Sequence, residues 1–405
     1  MERYQEYKDS GEQWLGKIPS HWEMKRLGSY FNERKSKVSD KDYAPLSVTK
    51  NGILPQLENV AKSNDSDNRK QVCAGDFVIN SRSDRKGSSG VSLLEGSVSL
   101  INIVLQPRKS IYSPFCNYLL KSNAFIEKYY RNGRSIVADL WTTRYDEMKS
   151  IKLAMPSLSE QTAMVAYLDR ITAQIDKAIA QQQRMIDLLN ERKQIIIQHA
   201  VTKGLDPNAE MVDSGVEWCD KMPADWNIRR LRYLCKIKTG DKDTIMREDE
   251  GKYPFFVRSP KVERINSYTF DTEAILMSGD GAGAGRIFHY YKGKFGCHQR
   301  VYCFHNFSKD IYPQFLYYQL SEKFKEVFLG QTAKSTVDSV RLLMLKDFQI
   351  IFPTLAEQRN IVEHIKKTIK PIEKLIVLSE QKINSLRERK QIIINEVVTG
   401  KVKVS

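Results

Sequence analysis

The sequence predicts an α+β fold: two mixed α/β units in tandem pseudo-repeat, separated by two long helices that form an antiparallel coiled coil. Three observations predict it. The chain repeats itself end to end, two long stretches carry helical periodicity, and the segments between them alternate strand and helix patterns.

The repeat is the strongest signal. The heptapeptide ERKQIII occurs at 191–197 and again at 388–394. At that offset of 197 the stretch 133–203 lies over 330–400 without a gap, placing Gly133 on Gly330, Pro156 on Pro353 and Glu160-Gln161 on Glu357-Gln358. A second block, 9–27, lies over 213–231 at an offset of 204, with Asp9, Trp14, Lys17, Pro19, Trp22, Arg26 and Leu27 identical in both. Ala74-Gly75-Asp76 falls near Ser278-Gly279-Asp280 at the same offset. Ile111, Tyr112 and Phe115 fall on Ile311, Tyr312 and Phe315 at an offset of 200. The second copy is therefore seven residues shorter, and both copies have matched ends around a variable middle.

The long helices follow from periodicity. Residues 157–200 carry an apolar stripe at Leu168, Ile171, Ile175, Ala178, Met185, Leu189 and Ile196. The second copy repeats it at Ile365, Ile372, Leu375, Ile383, Leu386 and Ile393. Each helix opens after a proline with a capping box, Ser-Leu-Ser-Glu at 157–160 and Thr-Leu-Ala-Glu at 354–357. Gly204 and Gly400 are natural stops. Helices of this length span about 66 Å at ~1.5 Å per residue, and a single stripe on so long a rod needs a partner. The short connector after the first helix favours antiparallel pairing. Pro371, where the first copy has Gln174, is expected to kink or break the second helix.

The variable middles supply the sheets. Residues 96–107 and 295–306 read as strands, and 113–130 and 313–329 as helices. Polar loops lie at 80–90, 131–135, 278–286, 298–300 and 330–335. They are rich in the residue types that bond phosphates and base edges. The candidate DNA-contacting residues are Arg82, Arg85, Lys86, Arg134, Ser135 and Arg144 in the first copy. In the second they are Arg258, Arg286, Gln299, Arg300, Lys334 and Ser335.

Charge points to a polyanion. The net charge is +15, with 31 basic against 23 acidic residues in 1–203 and 33 against 26 in the rest. The excess is shared by both copies, as two surfaces facing nucleic acid would require. The six cysteines form no CxxC pair and are expected to be reduced thiols in a soluble cytosolic protein. The N-terminus lacks the apolar core of a signal peptide, and no apolar run reaches the ~18 residues of a membrane span.

No catalytic constellation stands out. The glycines at 279–285 fit neither the dinucleotide nor the P-loop pattern and read as a tight turn. No two prolines are adjacent, which excludes the Asn/Asp-Pro-Pro-aromatic motif of amino-methyltransferases. The Glu-x-Lys triplets at 147–149, 191–193 and 388–390 show no convergence on a metal, and the last two lie on the helices. Cys297, His298, Cys303 and His305 match no zinc spacing.

Two variable units, each followed by Pro-x-Leu-x-Glu-Gln and a long helix ending Glu-Arg-Lys-Gln-Ile-Ile-Ile, resemble the specificity subunits of type I restriction–modification enzymes. The segment 200–231 is similar to that family's central conserved region, and 8–27 to its N-terminal counterpart. The resemblance implies target recognition domains at 1–155 and 204–352, and conserved spacer helices at 156–203 and 353–405. Each recognition domain would read one half of a bipartite, asymmetric site in double-stranded DNA, and the helices would set the gap. It implies no catalysis and no cofactor in this chain. Two methylation subunits would bring S-adenosylmethionine, and restriction subunits ATP and magnesium, in a bacterial or archaeal cytoplasm. Base flipping by the partner would require a reader that tolerates distorted DNA. Glu160, Gln161, Glu357 and Gln358 could dock the partners or only cap the helices. A DNA-binding adaptor of a related defence system, and a scaffold binding RNA or nothing, are the alternatives.

Overall fold

The computed structural model describes residues 2–57, 67–137, 140–332 and 339–404. The chain forms two compact units, one comprising 1–182 with 381–405, the other 183–380. Each holds a β-rich body, the start of one long helix and the end of the other.

The first unit is built on a four-stranded antiparallel sheet ordered Ser89–Val91, Phe77–Asn80, Asn102–Pro107, Phe31–Glu33. A three-stranded sheet of Gly96–Val98, Arg69–Val72 and Lys37–Val38 accompanies it. The predicted strand 96–107 is thus two strands, broken where the Asn102 amide and side chain both donate to the Ser99 carbonyl. The predicted helix 113–130 is likewise two, α1 (Ser113–Leu120) and α2 (Asn123–Arg131). Ser122 makes the break, because its hydroxyl accepts from the Phe125 amide and starts a new helix. A short α3 (Tyr145–Met148) follows, and then α4 (Leu158–Lys203).

The second unit carries one six-stranded sheet, ordered Lys236–Thr239, Val301–His305, Phe270–Ser278, Phe288–Cys297, Tyr253–Phe256, Glu263–Ile265. All its pairings are antiparallel except Tyr253–Phe256 with Phe288–Cys297. The predicted strand 295–306 is the end of one strand, a turn and Val301–His305. Helix α5 (Pro313–Thr332), the short α6 (Leu342–Asp347) and α7 (Leu355–Val398) complete it.

The matched sequence blocks pair with each other. In the first unit Lys152–Met155 pairs with Glu23–Arg26. In the second, Gln349–Phe352 pairs with Asn227–Arg230 in the equivalent register. A buried glutamine then ties the helix start to the body. The Gln161 carboxamide accepts from the Tyr112 amide at 2.8 Å and donates to the carbonyls of Ser110 and Pro156. Gln358 repeats this with the Tyr312 amide at 2.7 Å and the carbonyls of Asp310 and Pro353. Phe115 and Phe315 lie fully buried nearby in the two cores.

The two long helices pack together and run antiparallel. In the first unit Asp176 of α4 meets Lys390 of α7 at 2.7 Å. In the second, Lys193 of α4 meets Glu373 of α7 at 2.6 Å. These are one interaction written twice, since Asp176 corresponds to Glu373 and Lys193 to Lys390. The seam runs through Leu168, Thr172, Ile175, Ile179, Gln182, Ile186 and Leu189, alternating steps of four and three. On α7 it runs through Ile365, Ile369, Ile372, Ile376, Ser379, Ile383 and Leu386. Two stripe residues expected to be inside are outside: Met185 is 49% and Leu375 51% exposed. A strict heptad seam passes to Ile186 and Ile376 instead, one residue further on. The expected break at Pro371 does not occur, and α7 continues through it. Buried Ile369 and Ile372 on either side hold the helix against its partner. That packing offsets the roughly 3 kcal/mol that an interior proline costs.

The chain's two ends meet in the first unit. Lys401 Nζ donates to the carbonyls of Leu15 and Lys17, and Glu2 bridges to Lys403. Gly204 and Gly400 end the long helices in left-handed conformation, as predicted. No helix among the described residues is long and apolar enough to cross a membrane.

Replacing Gln161 or Gln358 by Leu leaves one buried amide and two carbonyls unpaired. Each variant is expected to lose about 3 kcal/mol of stability, read as a lower urea midpoint.

Candidate nucleic-acid interface

One ridge recurs in both units. In the first, the strand Phe77–Asn80 runs into a 3-10 turn at Ser83–Arg85. The hairpin of Arg134–Val137 and Leu140–Thr142 pins it: Thr142 bridges Arg82, and the Thr143 amide donates to the Ser81 carbonyl. In the second unit, Phe270–Ser278 runs into a 3-10 turn at Gly281–Gly283. There Ser339 bridges Asp280, and the Val340 amide donates to the Gly279 carbonyl. Ser81 thus corresponds to Gly279 and Arg82 to Asp280. The offset that sets Asp76 near Asp280 does not hold in space. Asp76 precedes its strand, is buried and holds Arg34 at 2.7 and 3.1 Å, whereas Asp280 follows its strand. The glycine run closes this tight turn.

In the first unit Arg82 and Arg144 come together. They line a cleft of about 540 Å³ with Lys35, Lys37 and Lys70, against the carboxylates of Glu33 and Asp146. Exposed Leu100 and Ile101 give it an apolar edge. The three lysines escaped the sequence reading, because they lie on segments distant in sequence that only the sheet pairing assembles. Arg85 and Lys86 are exposed on the ridge, Lys86 paired with Glu127 at 2.6 Å. Arg134 is exposed and meets Glu147 at 3.0 Å. Ser135 sits on the pinning hairpin opposite Trp141.

In the second unit Arg258 and Arg300 converge on one carboxylate. Asp280 takes Arg258 at 3.0 Å and Arg300 at 3.4 Å. Gln299 donates to Asp243 at 3.0 Å beside them. Arg286 is exposed at the end of the glycine turn. Lys334 and Ser335 lie outside the described residues. Sequence reasoning missed Asp280, Asp243 and Arg341. The last was findable: it is the offset-197 counterpart of Arg144, and both precede the first turn of a short helix, α3 or α6.

Burial sets the protonation states here. His298 is buried, and its Nδ1 accepts from the Arg300 amide at 3.0 Å. Burial, with Arg258 nearby, holds its pKa below the ordinary value, and burial lowers those of His289 and His305 too. Burial pushes the Cys235 and Cys303 thiols up to about 12 and that of Cys297 higher. The clustered cysteines are neutral core residues.

At the helix starts the two glutamines face inward and the two glutamates lie half-buried beside them. Glu160 accepts from the indole of Trp22 and Glu357 from that of Trp226, each at 3.4 Å. Glu160 also closes the capping box with Ser157. Gln161 and Gln358 are wholly buried. Of the two roles that the sequence leaves open, capping accounts for the Glu160–Ser157 bonds, while the glutamines tie the helix starts to the bodies. For the two glutamines docking is set aside, because their amides have no surface to offer. The outward apolar residues lie elsewhere: Met185, Leu188 and Ile195 on α4, and Leu375, Leu378 and Ile392 on α7. Met185, Leu188, Leu375 and Leu378 each fall one residue before a seam position, where a further helix would pack.

This arrangement has relatives. Residues 223–387 match the model of the type I restriction modification DNA specificity domain. The type I restriction enzyme MjaVIII specificity subunit of Methanocaldococcus jannaschii is 23% identical, over 96% of this chain and 94% of that protein. The chain is thus similar, along nearly its whole length, to type I restriction–modification specificity subunits. The EcoDI specificity subunit of Escherichia coli is 30% identical over 45% of this chain, a match spanning 40% of that subunit. A chain solved in work on complex assembly and conformational transition of the type I R-M system shares the fold. It has a TM-score of 0.70 at 15% identity, over 95% of this chain and 99% of that one. In this chain the two ridges share a frame and differ in the side chains at their tips.

Three histidines whose pKa values burial depresses, His298 buried and His289 and His305 half-buried, make the second unit sensitive to acid. Below pH about 6.5 the unfolded chain takes up protons that the folded one resists, so stability falls as pH drops. His298→Gln is expected to flatten that slope in unfolding experiments between pH 7 and 5.

Proposed function

We propose that this chain is the DNA-reading, non-catalytic subunit of a type I restriction–modification complex. Each unit reads one half of a bipartite, asymmetric target in double-stranded DNA. The observation that carries this is the shared ridge with different tips, Arg82-Ser83-Asp84-Arg85 in one unit and Asp280-Gly281-Ala282-Gly283 in the other. One frame written twice positions two readers equivalently, and different side chains at each tip let them read different bases. The +15 charge, shared by both halves, supports a phosphate-binding role for each.

The helices are spacers and docking sites in this reading. A rod of 46 residues spans about 69 Å at ~1.5 Å per residue. DNA repeats every ~34 Å, so rods of this size suit half-sites one or two turns apart. The apolar strip beside the seam suits a helix from each of two methylation subunits. S-adenosylmethionine, ATP and magnesium belong to the methylation and restriction partners.

Co-expression with the neighbouring methylation subunit and sequencing for modified adenine tests this directly. A split motif with an undefined spacer is expected, and replacing 30–132 by another unit should change one half only. No new methylation despite a stable complex would sink the reading. Arg144→Ala with Lys37→Ala in the cleft should weaken binding to all sequences and lower the salt-dependence slope by about 1 for each of the two side chains that neutralises a phosphate. Ile195→Glu with Ile392→Glu should abolish co-purification of the methylation subunit while leaving the chain folded.

A further inference from the structure

The second unit's ridge carries a site more specific than a basic patch. Asp280 leaves 17% of its side chain exposed and lies between two guanidiniums that are far more open, Arg258 at 46% and Arg300 at 63%. The backbone around it is fixed on three sides. The Arg300 amide donates to His298 Nδ1 at 3.0 Å, and its carbonyl accepts from the Gly279 amide at 2.9 Å. The His298 amide donates to the Phe256 carbonyl, two residues before Arg258. A Cβ on Gly279 would stand 3.0 Å from the Arg300 carbonyl, so a side chain there would crowd this approach. Gly281 turns the chain with a φ of +69°, bringing its backbone beneath the Arg258 guanidinium.

We propose that Asp280 holds Arg258 and Arg300 as preset forks that read guanine through its O6 and N7 in the major groove. The assignment rests on the DNA-reading role above. Each guanidinium spends one nitrogen on Asp280 and keeps further N–H donors for a ligand. Guanine presents two acceptors side by side there, whereas adenine presents an acceptor beside an amino donor that would face the guanidinium badly. A phosphate is the poorer occupant. The Asp280 carboxylate cancels one of the two positive charges and repels an anion, but costs a neutral base edge little. Fixing both side chains beforehand also removes entropy that a free arginine would lose on binding. Asp280 is a positioning residue, acting on DNA only through the two arginines.

The test uses the full chain in complex with its methylation subunit, on a duplex carrying the mapped target. Each guanine is replaced in turn by 7-deazaguanine, which keeps base pairing and removes N7. One or two guanines, all in the same half-site, should show a loss of about tenfold to a hundredfold. Arg258→Ala or Arg300→Ala should weaken the normal target but lose nothing more on the substituted one. Asp280→Asn should lower the ratio of target to random-duplex affinity while raising the random-duplex affinity. A half-site insensitive to every replacement, or an Asp280→Asn variant that keeps the ratio, overturns the assignment even where specific binding is intact. Absence of any site-specific binding overturns the DNA-reading role and the assignment with it.

Discussion

The buried carboxamides of Gln161 and Gln358 fix how each β-rich body meets its long helix. Each amide satisfies one backbone N–H and two carbonyls that would otherwise be stranded at the junction. A buried amide with all its bonds made is stable, and with any of them missing it is costly. The junction therefore has one geometry, and it is the same in both units. In the proposed function, a spacer helix can set a distance only if its ends do not swivel, so that function would depend on these two residues before it depends on any arginine.

From that junction the chain builds equivalence and difference separately. The strand pairs joining the matched blocks, the Trp22–Glu160 and Trp226–Glu357 contacts and the paired ion bridges on the helices are each written twice. The bodies between them are not. One has a four-stranded and a three-stranded sheet as its largest, and an arginine-tipped ridge beside a lysine-lined cleft. The other has a single six-stranded sheet and a glycine-tipped ridge with an acid between two arginines. Sheet edges and loop tips tolerate such divergence because they carry little of the core. The buried junctions tolerate almost none.

Electrostatics divides the same way. A net positive charge attracts DNA over several ångströms regardless of sequence, and salt screens it. Arrangement at the ridge discriminates. In the proposed site Asp280 lowers the local charge while holding its two arginines, which would exchange general affinity for choice.

Much of this was legible in the residues. Exact repetition at one offset forces two copies, capping boxes and left-handed glycines bound the helices, and the matched ends predict equivalent junctions. Those signals are local or copied, so sequence alone carries them. Their limits are also physical. Met185 and Leu375 fit a loose helical stripe, yet the heptad seam between packed helices selects Ile186 and Ile376. Pro371 breaks an isolated helix, but buried neighbours keep this one whole. Lys35, Lys37 and Lys70 join Arg82 and Arg144 only after the strands pair. Asp76 and Asp280 look equivalent by offset, and strand register separates them. The sequence by itself determined that there are two alike units with paired helices and a basic surface on each. Tertiary structure alone decided which charged side chains share a site, because contacts between residues far apart along the chain depend on strand register and helix seam, which no local pattern encodes.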